Sequence, residues 1–362
     1  MSPPDRPSVV VIGGTGATGR EIVAALEEAA PGTRLAIASR RADQSVGGRE
    51  TFRLDVKSPD QVSLARLAEF DLAVIALGPF HAIGPAAHLA CLKAGTDALD
   101  IIDCPRTAKA VLALRGEAVD GGVRLLTGMG LNPGLSTLLL DRLLGAGPPP
   151  HVRVRLFAGG DEPAGRAATS MMIEQFRDEV EVLDSGRITS VPAADDGDDS
   201  LYRFPDDREP VLALPCTSAE PVLLADRSAP EDLPGRIDYR IHFQGLTRGV
   251  ARVLRRSSRW RGARVDNMLA QLFLLLHGLA RRNPVNRSSS VLSVDAGPHG
   301  RISASGQTTF GLTARFAAAI SVLLLQGGLR CGPGVHAMSD DVADPEELSR
   351  MLTRLGVRIG HG

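Results

Sequence analysis

Gly13, Gly16 and Gly19 stand three residues apart near the start of the chain, and Gly14, Gly16 and Gly19 also satisfy the tighter Gly-x-Gly-x-x-Gly spacing. The chemistry this spacing serves is the capture of a pyrophosphate. Such a turn takes backbone angles that other residues resist, a side chain in its middle would block the phosphates, and the last glycine lets a helix lie close against a strand. Free N–H groups at the helix N-terminus then face the anion. Thr15, Ala17 and Thr18 fill out the loop. A glycine triplet alone is a weak signal, and an ordinary strand-to-helix turn is the alternative. The flanks give it weight: Val9 to Ile12 is an unbroken β-branched run, as in a strand buried on both faces of a parallel sheet, and Arg20 to Glu28 reads as a helix.

A second group of residues bears on which nucleotide is held. In folds of this kind a carboxylate about twenty residues past the glycines holds the ribose 2′-hydroxyl of NAD, whereas an arginine there accommodates the 2′-phosphate of NADP. The strand Arg34 to Ser39 ends in Ser39 and Arg40, and the first acid comes only at Asp43. NADP is therefore expected, with the planar guanidinium of Arg40 pairing with phosphate. Asp55 and Val56 close the next strand, where such folds touch the adenine, and Leu77 and Gly78 follow a fully apolar strand, at the level of the nicotinamide ribose. His81 and Asp103 come just after strands four and five. Either can donate a proton: His81 because its unperturbed pKa of about 6.5 suits neutral pH, Asp103 if burial raises its pKa. The plainer alternatives are a solvated loop histidine and a cap on the helix after Pro105.

The elements that position these residues alternate. Strands are expected at 50–56, 71–76, 98–103 and 123–127, and helices at 60–69, 84–94, 107–119 and 132–144. With the first two strands this makes six, the alternation of a Rossmann domain over residues 1–146. Gly145 to Pro150 reads as a linker. Residues 147–308 turn to strand signals at 151–157, 236–243, 290–295 and 300–305, with a helix expected at 171–183 and an acidic surface loop at 193–200. The expected fold is α/β, a doubly wound parallel sheet with an inserted α+β substrate and dimerisation domain. Residues 309–362 form C-terminal helices, at 309–326 and 345–355, that return to the first domain.

Composition excludes other readings. Of 362 residues 43% are hydrophobic, enough for a normal core, and a formal net charge of −1 gives no whole-chain argument for nucleic acid. Cys91, Cys104, Cys216 and Cys331 form no CxxC pair, as suits a reducing, cytoplasmic setting. The N-terminus carries no signal-peptide pattern, and the apolar run 268–280 is too short to span a membrane. No histidines and cysteines stand at metal-site spacing, so no metal is expected. Lysine occurs only at 57, 93 and 109, and no tyrosine stands four residues before any of them, which excludes a Tyr-x-x-x-Lys mechanism. Cys104 as a nucleophile is a weaker rival, because buried structural cysteine is the commoner state. The stretch 248–283 is arginine-rich around Trp260 and then apolar. Contact with an anionic membrane, a site for an acidic substrate and packing in a homodimer all fit it, and dimer packing is the reading preferred.

The opening glycine run, the Ala-Ser-Arg40 ending, Leu-Asp55-Val, Ala-Leu-Gly-Pro-Phe80, Asp100-Ile-Ile-Asp103 and Gly-Met-Gly-Leu-Asn-Pro133-Gly-Leu-Ser resemble the saccharopine dehydrogenase family of NADP-dependent reductases. The likeness covers about the first 140 residues, extends to the helix near 313–318 and the Gly-Val335 after it, and is poor over 150–300. It implies a small-molecule substrate whose carbon–nitrogen bond is reduced or oxidised. Relatives of similar sequence act on lipid-linked enoyl groups, and a non-catalytic NADP-sensing or scaffold protein would keep the same glycine loop. Where that family often has tyrosine at the start of strand five, Ala98-Leu99 stands here. For an imine, the required parts are a hydride donor beside the carbon and an acid, or water, near the nitrogen.

Overall fold

The computed structural model describes residues 6–41, 48–145, 147–159, 179–193, 197, 200–205, 209–257, 268, 271, 289–339 and 341–361. The chain divides into two units, Met1–Leu138 with Phe310–Val357, and Leu139–Thr309 with Arg358–Gly362.

The first unit alternates strand and helix: β1 (Ser8–Ile12), α1 (Ala17–Ala29), β2 (Arg34–Ser39), β3 (Glu50–Arg53), α2 (Gln61–Leu67), β4 (Leu72–Ile75), α3 (Phe80–Ile83), α4 (Ala86–Ala94), β5 (Asp97–Asp100), α5 (Pro105–Leu112), α6 (Arg115–Asp120), β6 (Arg124–Leu126) and α7 (Leu135–Leu144). The unit boundary falls inside α7. With β16 (Gly334–His336) these strands form a seven-stranded parallel sheet in the order β16-β6-β5-β4-β1-β2-β3. Val9, Val10 and Val11 have no exposure, which is why an apolar run without alternation is stable at the sheet centre. Strand order reverses between β1 and β4, the crevice where ligands bind in open α/β sheets.

The second unit contains β7 (Val152–Ala158), β8 (Glu179–Asp184), β9 (Arg187–Pro192), β10 (Leu201–Tyr202), β11 (Val211–Leu212), β12 (Leu214–Pro215), α8 (Glu220–Arg227), β13 (Arg236–Phe243), α9 (Arg248–Ser257), β14 (Ser290–Asp295) and β15 (Arg301–Gly306). Its mixed sheet runs β17-β15-β14-β7-β13-β8-β9, with β12 also on β13 and β17 (Arg358–His361) at one edge. In the first unit, α10 (Thr309–Leu325) is buried on every side from Phe316 to Leu324, and α11 (Pro345–Arg354) is capped by Asp344, whose carboxylate accepts from the N–H groups of Glu346 and Glu347.

Several elements differ from expectation for local reasons. Strand five stops at Asp100 and not at residue 103, because the Asp100 carboxylate takes the Ile102 N–H at 2.9 Å and turns the chain off the ladder. The helix expected from Gly84 begins at Ala86, and a short helix not expected, α3, precedes it over Phe80–Ile83 and ends at Gly84 with φ 60° and ψ −147°, a conformation only glycine tolerates. The helix expected over 107–119 is likewise interrupted between Leu112 and Arg115. Residues 179–183, expected to end a helix, instead form β8, which turns through Ser185 and Gly186, at φ 53° and 71°, into β9. That is a two-residue primed hairpin turn. The rest of that expected helix, most of the acidic loop at 193–200, and nearly all of the basic and apolar stretch beyond Ser257 lie outside the described residues. No helix among the described residues is long and apolar enough to cross a membrane.

Candidate active site at the carboxyl ends of the parallel strands

The glycine turn leaves β1 at Gly13, whose φ is 90° and whose N–H donates to the Ala38 carbonyl at 2.9 Å. A Cβ there would come within 2.6 Å of the Ala76 carbonyl oxygen and 2.9 Å of Leu77 Cδ2, so strand β4 and Leu77 close against the turn. A Cβ on Gly19 would overlap the Gly13 carbonyl oxygen and lie 2.8 Å from Gly14 Cα, which is the close helix-to-strand packing that the last glycine permits. Gly16 differs. It is exposed, its φ of −71° suits any residue, and a Cβ would meet only the Gly13 oxygen, at 3.3 Å. It caps α1 with no side-chain bond, leaving the first N–H groups of the helix directed at the space beyond it. Arg20 Nη1 donates to the Thr15 carbonyl at 2.7 Å and braces the loop, in which Thr15 and Thr18 are half-buried and Ala17 exposed. A cradle of backbone N–H groups from which a side chain is absent fits the pyrophosphate of a dinucleotide.

At the end of β2, Ser39 Oγ donates to the Arg41 carbonyl at 2.7 Å and accepts the Arg41 N–H at 3.3 Å, turning the chain so that Arg40 and Arg41 are both exposed. Leu54 N–H donates to the Ser39 carbonyl at 2.8 Å, which brings Asp55 and Val56, both half-buried, beside the same corner. Asp55 accepts the Lys57 N–H at 3.1 Å and so shapes its own loop.

The loop after β4 carries Leu77, the exposed Gly78, and a cis Gly78–Pro79 bond into α3, where His81 is exposed. Asp103 is half-buried in the loop after β5, one residue before Cys104, which holds the N-cap position of α5. Burial pushes the Asp103 carboxyl above the ordinary carboxylate range, opposed by a hydrogen bond from its own backbone and by the charge of His81. The two expected proton donors therefore feel one another. Their supports are tied as well, since Thr107 Oγ1 of α5 donates to the Phe80 carbonyl at 3.2 Å.

Behind this rim lies a pair that spacing did not reveal. His88 Nε2 and Asp100 Oδ2 are 2.8 Å apart, each residue 1% exposed. The available signal was chemical: a carboxylate closing an apolar strand and a histidine inside the alanine-rich α4 both need buried partners.

Neither family models nor curated proteins match the sequence. Among solved structures, apo saccharopine dehydrogenase (L-Glu forming) from Saccharomyces cerevisiae superimposes with a TM-score of 0.64 at 13% identity, over 98% of this chain and 100% of that one. The C. glutamicum DAP dehydrogenase in complex with DAP gives a TM-score of 0.49 at 14% identity over 95% of each chain. An engineered D-amino acid dehydrogenase bound to NADP+ gives 0.47 at 16% identity, over 95% of this chain and 96% of that one. The chain has a saccharopine dehydrogenase-like fold, with a parallel α/β sheet in one unit and a mixed sheet in the other.

Proposed function

We propose that the protein is an NADP(H)-dependent oxidoreductase of saccharopine dehydrogenase type, which reduces or oxidises the carbon–nitrogen bond of an imine or secondary amine in a small metabolite. The observation that carries this reading is the end of β2: Ser39 and Arg40 stand in the place of the acid that NAD enzymes use, at the corner next to a side-chain-free phosphate cradle.

When bound, NADPH supplies the hydride that becomes the new C–H bond as the C=N double bond is reduced. The chain's own residues do the rest. Gly13, Gly16 and Gly19 would admit the pyrophosphate to the N-terminus of α1, with Thr15, Ala17 and Thr18 around it; Arg40 would hold the 2′-phosphate, Asp55 and Val56 the adenine side, and Leu77 and Gly78 the nicotinamide ribose. Asp103, kept protonated to higher pH by burial, gives its proton to the substrate nitrogen, and His81 beside it returns one from solvent. An acid whose pKa is raised by its surroundings toward the working pH suits that task. The two exposed arginines after β2 also favour a phosphorylated cofactor over NAD on charge alone.

The test is consumption of NADPH by purified protein with pairs of an amino acid and an oxo acid or aldehyde. Turnover with at least one pair supports the reading. Tight NADPH binding with no turnover across a broad panel points instead to the non-catalytic sensor.

A further inference from the structure

Asp100 has no part in the binding and proton-transfer roles given above, yet three donors converge on its carboxylate. Oδ1 accepts the Ile102 N–H at 2.9 Å and the Gly128 N–H at 2.8 Å, and Oδ2 lies 2.8 Å from His88 Nε2. The Asp100 carbonyl also accepts the Met129 N–H at 2.7 Å. One residue therefore holds the loop after β5 and the loop after β6 at a common point. Ile102 immediately precedes Asp103, so the first of these bonds fixes the backbone that carries the proposed proton donor.

The loop on the other side is rigid. Gly130 N–H donates to the Pro133 carbonyl at 3.1 Å, Leu135 N–H donates to the Gly130 carbonyl at 2.9 Å, and a Cβ on Gly134 would lie 2.7 Å from Gly130 N. Asp100 thus ties the Asp103 loop to a segment closed by its own backbone hydrogen bonds. His88 holds Asp100 in turn. Its Nδ1 is buried with no hydrogen-bond partner, so a neutral ring must carry its proton on Nε2, facing the carboxylate. A buried polar atom without a partner is a recurring cost, and the bond it leaves in place is the one to Asp100.

We propose that Asp100, oriented by His88, is a positioning residue that latches the β5 and β6 loops together and so sets where the Asp103 carboxyl stands. This rests on the proton-donor role proposed for Asp103. Charge-assisted bonds to backbone N–H groups are stronger and shorter than neutral ones, and a displacement of about 1 Å at a reacting group costs roughly a hundredfold in rate.

The experiment is a pH titration of the Asp103 carboxyl by carbon-13 NMR in wild type, Asp100→Ala and Asp100→Asn. In wild type Asp103 should titrate above ordinary aspartate. In Asp100→Ala the loop opens to water and the titration should move down toward that of ordinary aspartate, as the burial that raises it is relieved. Asp100→Asn keeps an oxygen on both backbone N–H groups but turns an NH2 toward His88 Nε2, so it loses the His88 bond alone and should stay closer to wild type than Asp100→Ala. Where a substrate is found, Asp100→Ala should lower kcat about a hundredfold with KM for NADPH unchanged. Should Asp100→Ala fail to fold, His88→Leu, which strips one of the three bonds, is read in the same way. An Asp103 titration that superimposes on wild type in the disrupted variant overturns the latch, as does an Asn variant that behaves like Ala. Absence of any turnover would count against the enzymatic reading and leave the titration to decide the latch.

Discussion

Nη2 of Arg155 lies 2.8 Å from Oδ2 of Asp238, inside the second unit, and the guanidinium has no exposure to solvent. His151 Nε2 lies 2.7 Å from the other carboxylate oxygen, and Arg240 Nε lies 3.2 Å from Oδ2. Burial works against the charge on Asp238, but the His151 hydrogen bond and the charges of Arg155, Arg240 and His151 outweigh it and hold the carboxyl well below its usual range. Removing one partner of a buried pair leaves the other uncompensated, so Asp238→Asn should destabilise the protein by about 3–5 kcal/mol, read as a lower urea midpoint. A depressed folded-state pKa gives stability that is full above the unfolded value, about 3.9, and lost as pH falls through the folded one. Wild type should therefore lose this contribution only below about pH 4, and the pH dependence of the midpoint there should flatten in Asp238→Asn.

Gly13 and Gly16 of the first turn should separate stability from binding. Gly13→Ala places a side chain at φ 90° against the Ala76 carbonyl, and strain of this kind costs about 1–3 kcal/mol before the clash is counted. Gly16→Ala meets no such obstacle and should lower stability by less than about 1 kcal/mol, the scale of an N-cap change, while still weakening NADP at least tenfold. Thermal unfolding and calorimetric titration of both variants provide the comparison. Equal loss of stability in the two would contradict this division of roles.

Arg40→Ala should weaken NADP by about one to two powers of ten, since hydrogen bonds to charged groups contribute roughly 1.5–3 kcal/mol and 1.4 kcal/mol is tenfold. NAD should be nearly unaffected. Ser39→Asp should go further and reverse the preference, because a carboxylate repels the phosphate and accepts the free ribose hydroxyl. An Arg40→Ala loss shared by both cofactors would show that this corner does not read the phosphate.

Asp103 gives a prediction of opposite sign to Asp238. Its folded-state pKa is raised, so between the ordinary value and the raised one the folded state holds more protons than the unfolded, and stability falls as pH rises through that window. Asp103→Asn removes the penalty. At neutral pH the variant should be as stable as wild type or more so, with turnover lower by about a hundred- to ten-thousandfold. In wild type the rate should fall as pH rises through the Asp103 pKa. A variant both less stable and fully active would remove Asp103 from the site.

The first unit was legible because its signals are local. Val9 to Ile12 and the glycine spacing each act within a few residues, and the order of strands and helices then follows from the alternation. What escaped depends on partners distant in sequence. The seventh strand, Gly334–His336, is three residues long and exists because it pairs with β6, and Arg358–His361 is a strand only beside β15. The break of strand five at Asp100 depends on where its carboxylate finds donors, two of them at His88 and Gly128. In the second unit, the period-two alternation of residues 179–183, with Val180 and Val182 buried, shows its meaning only against β9 and β13.

An NADPH-dependent C–N oxidoreductase is tested most directly by following the hydride itself. Protein supplied with NADPH carrying deuterium at nicotinamide C4, together with amino acid and oxo acid or aldehyde pairs, is examined by mass spectrometry for labelled secondary amine. Deuterium is expected on the carbon bound to nitrogen in at least one product, with little or none when NADH replaces NADPH at the same concentration. Cofactor that binds while no product acquires deuterium from any pair would contradict it.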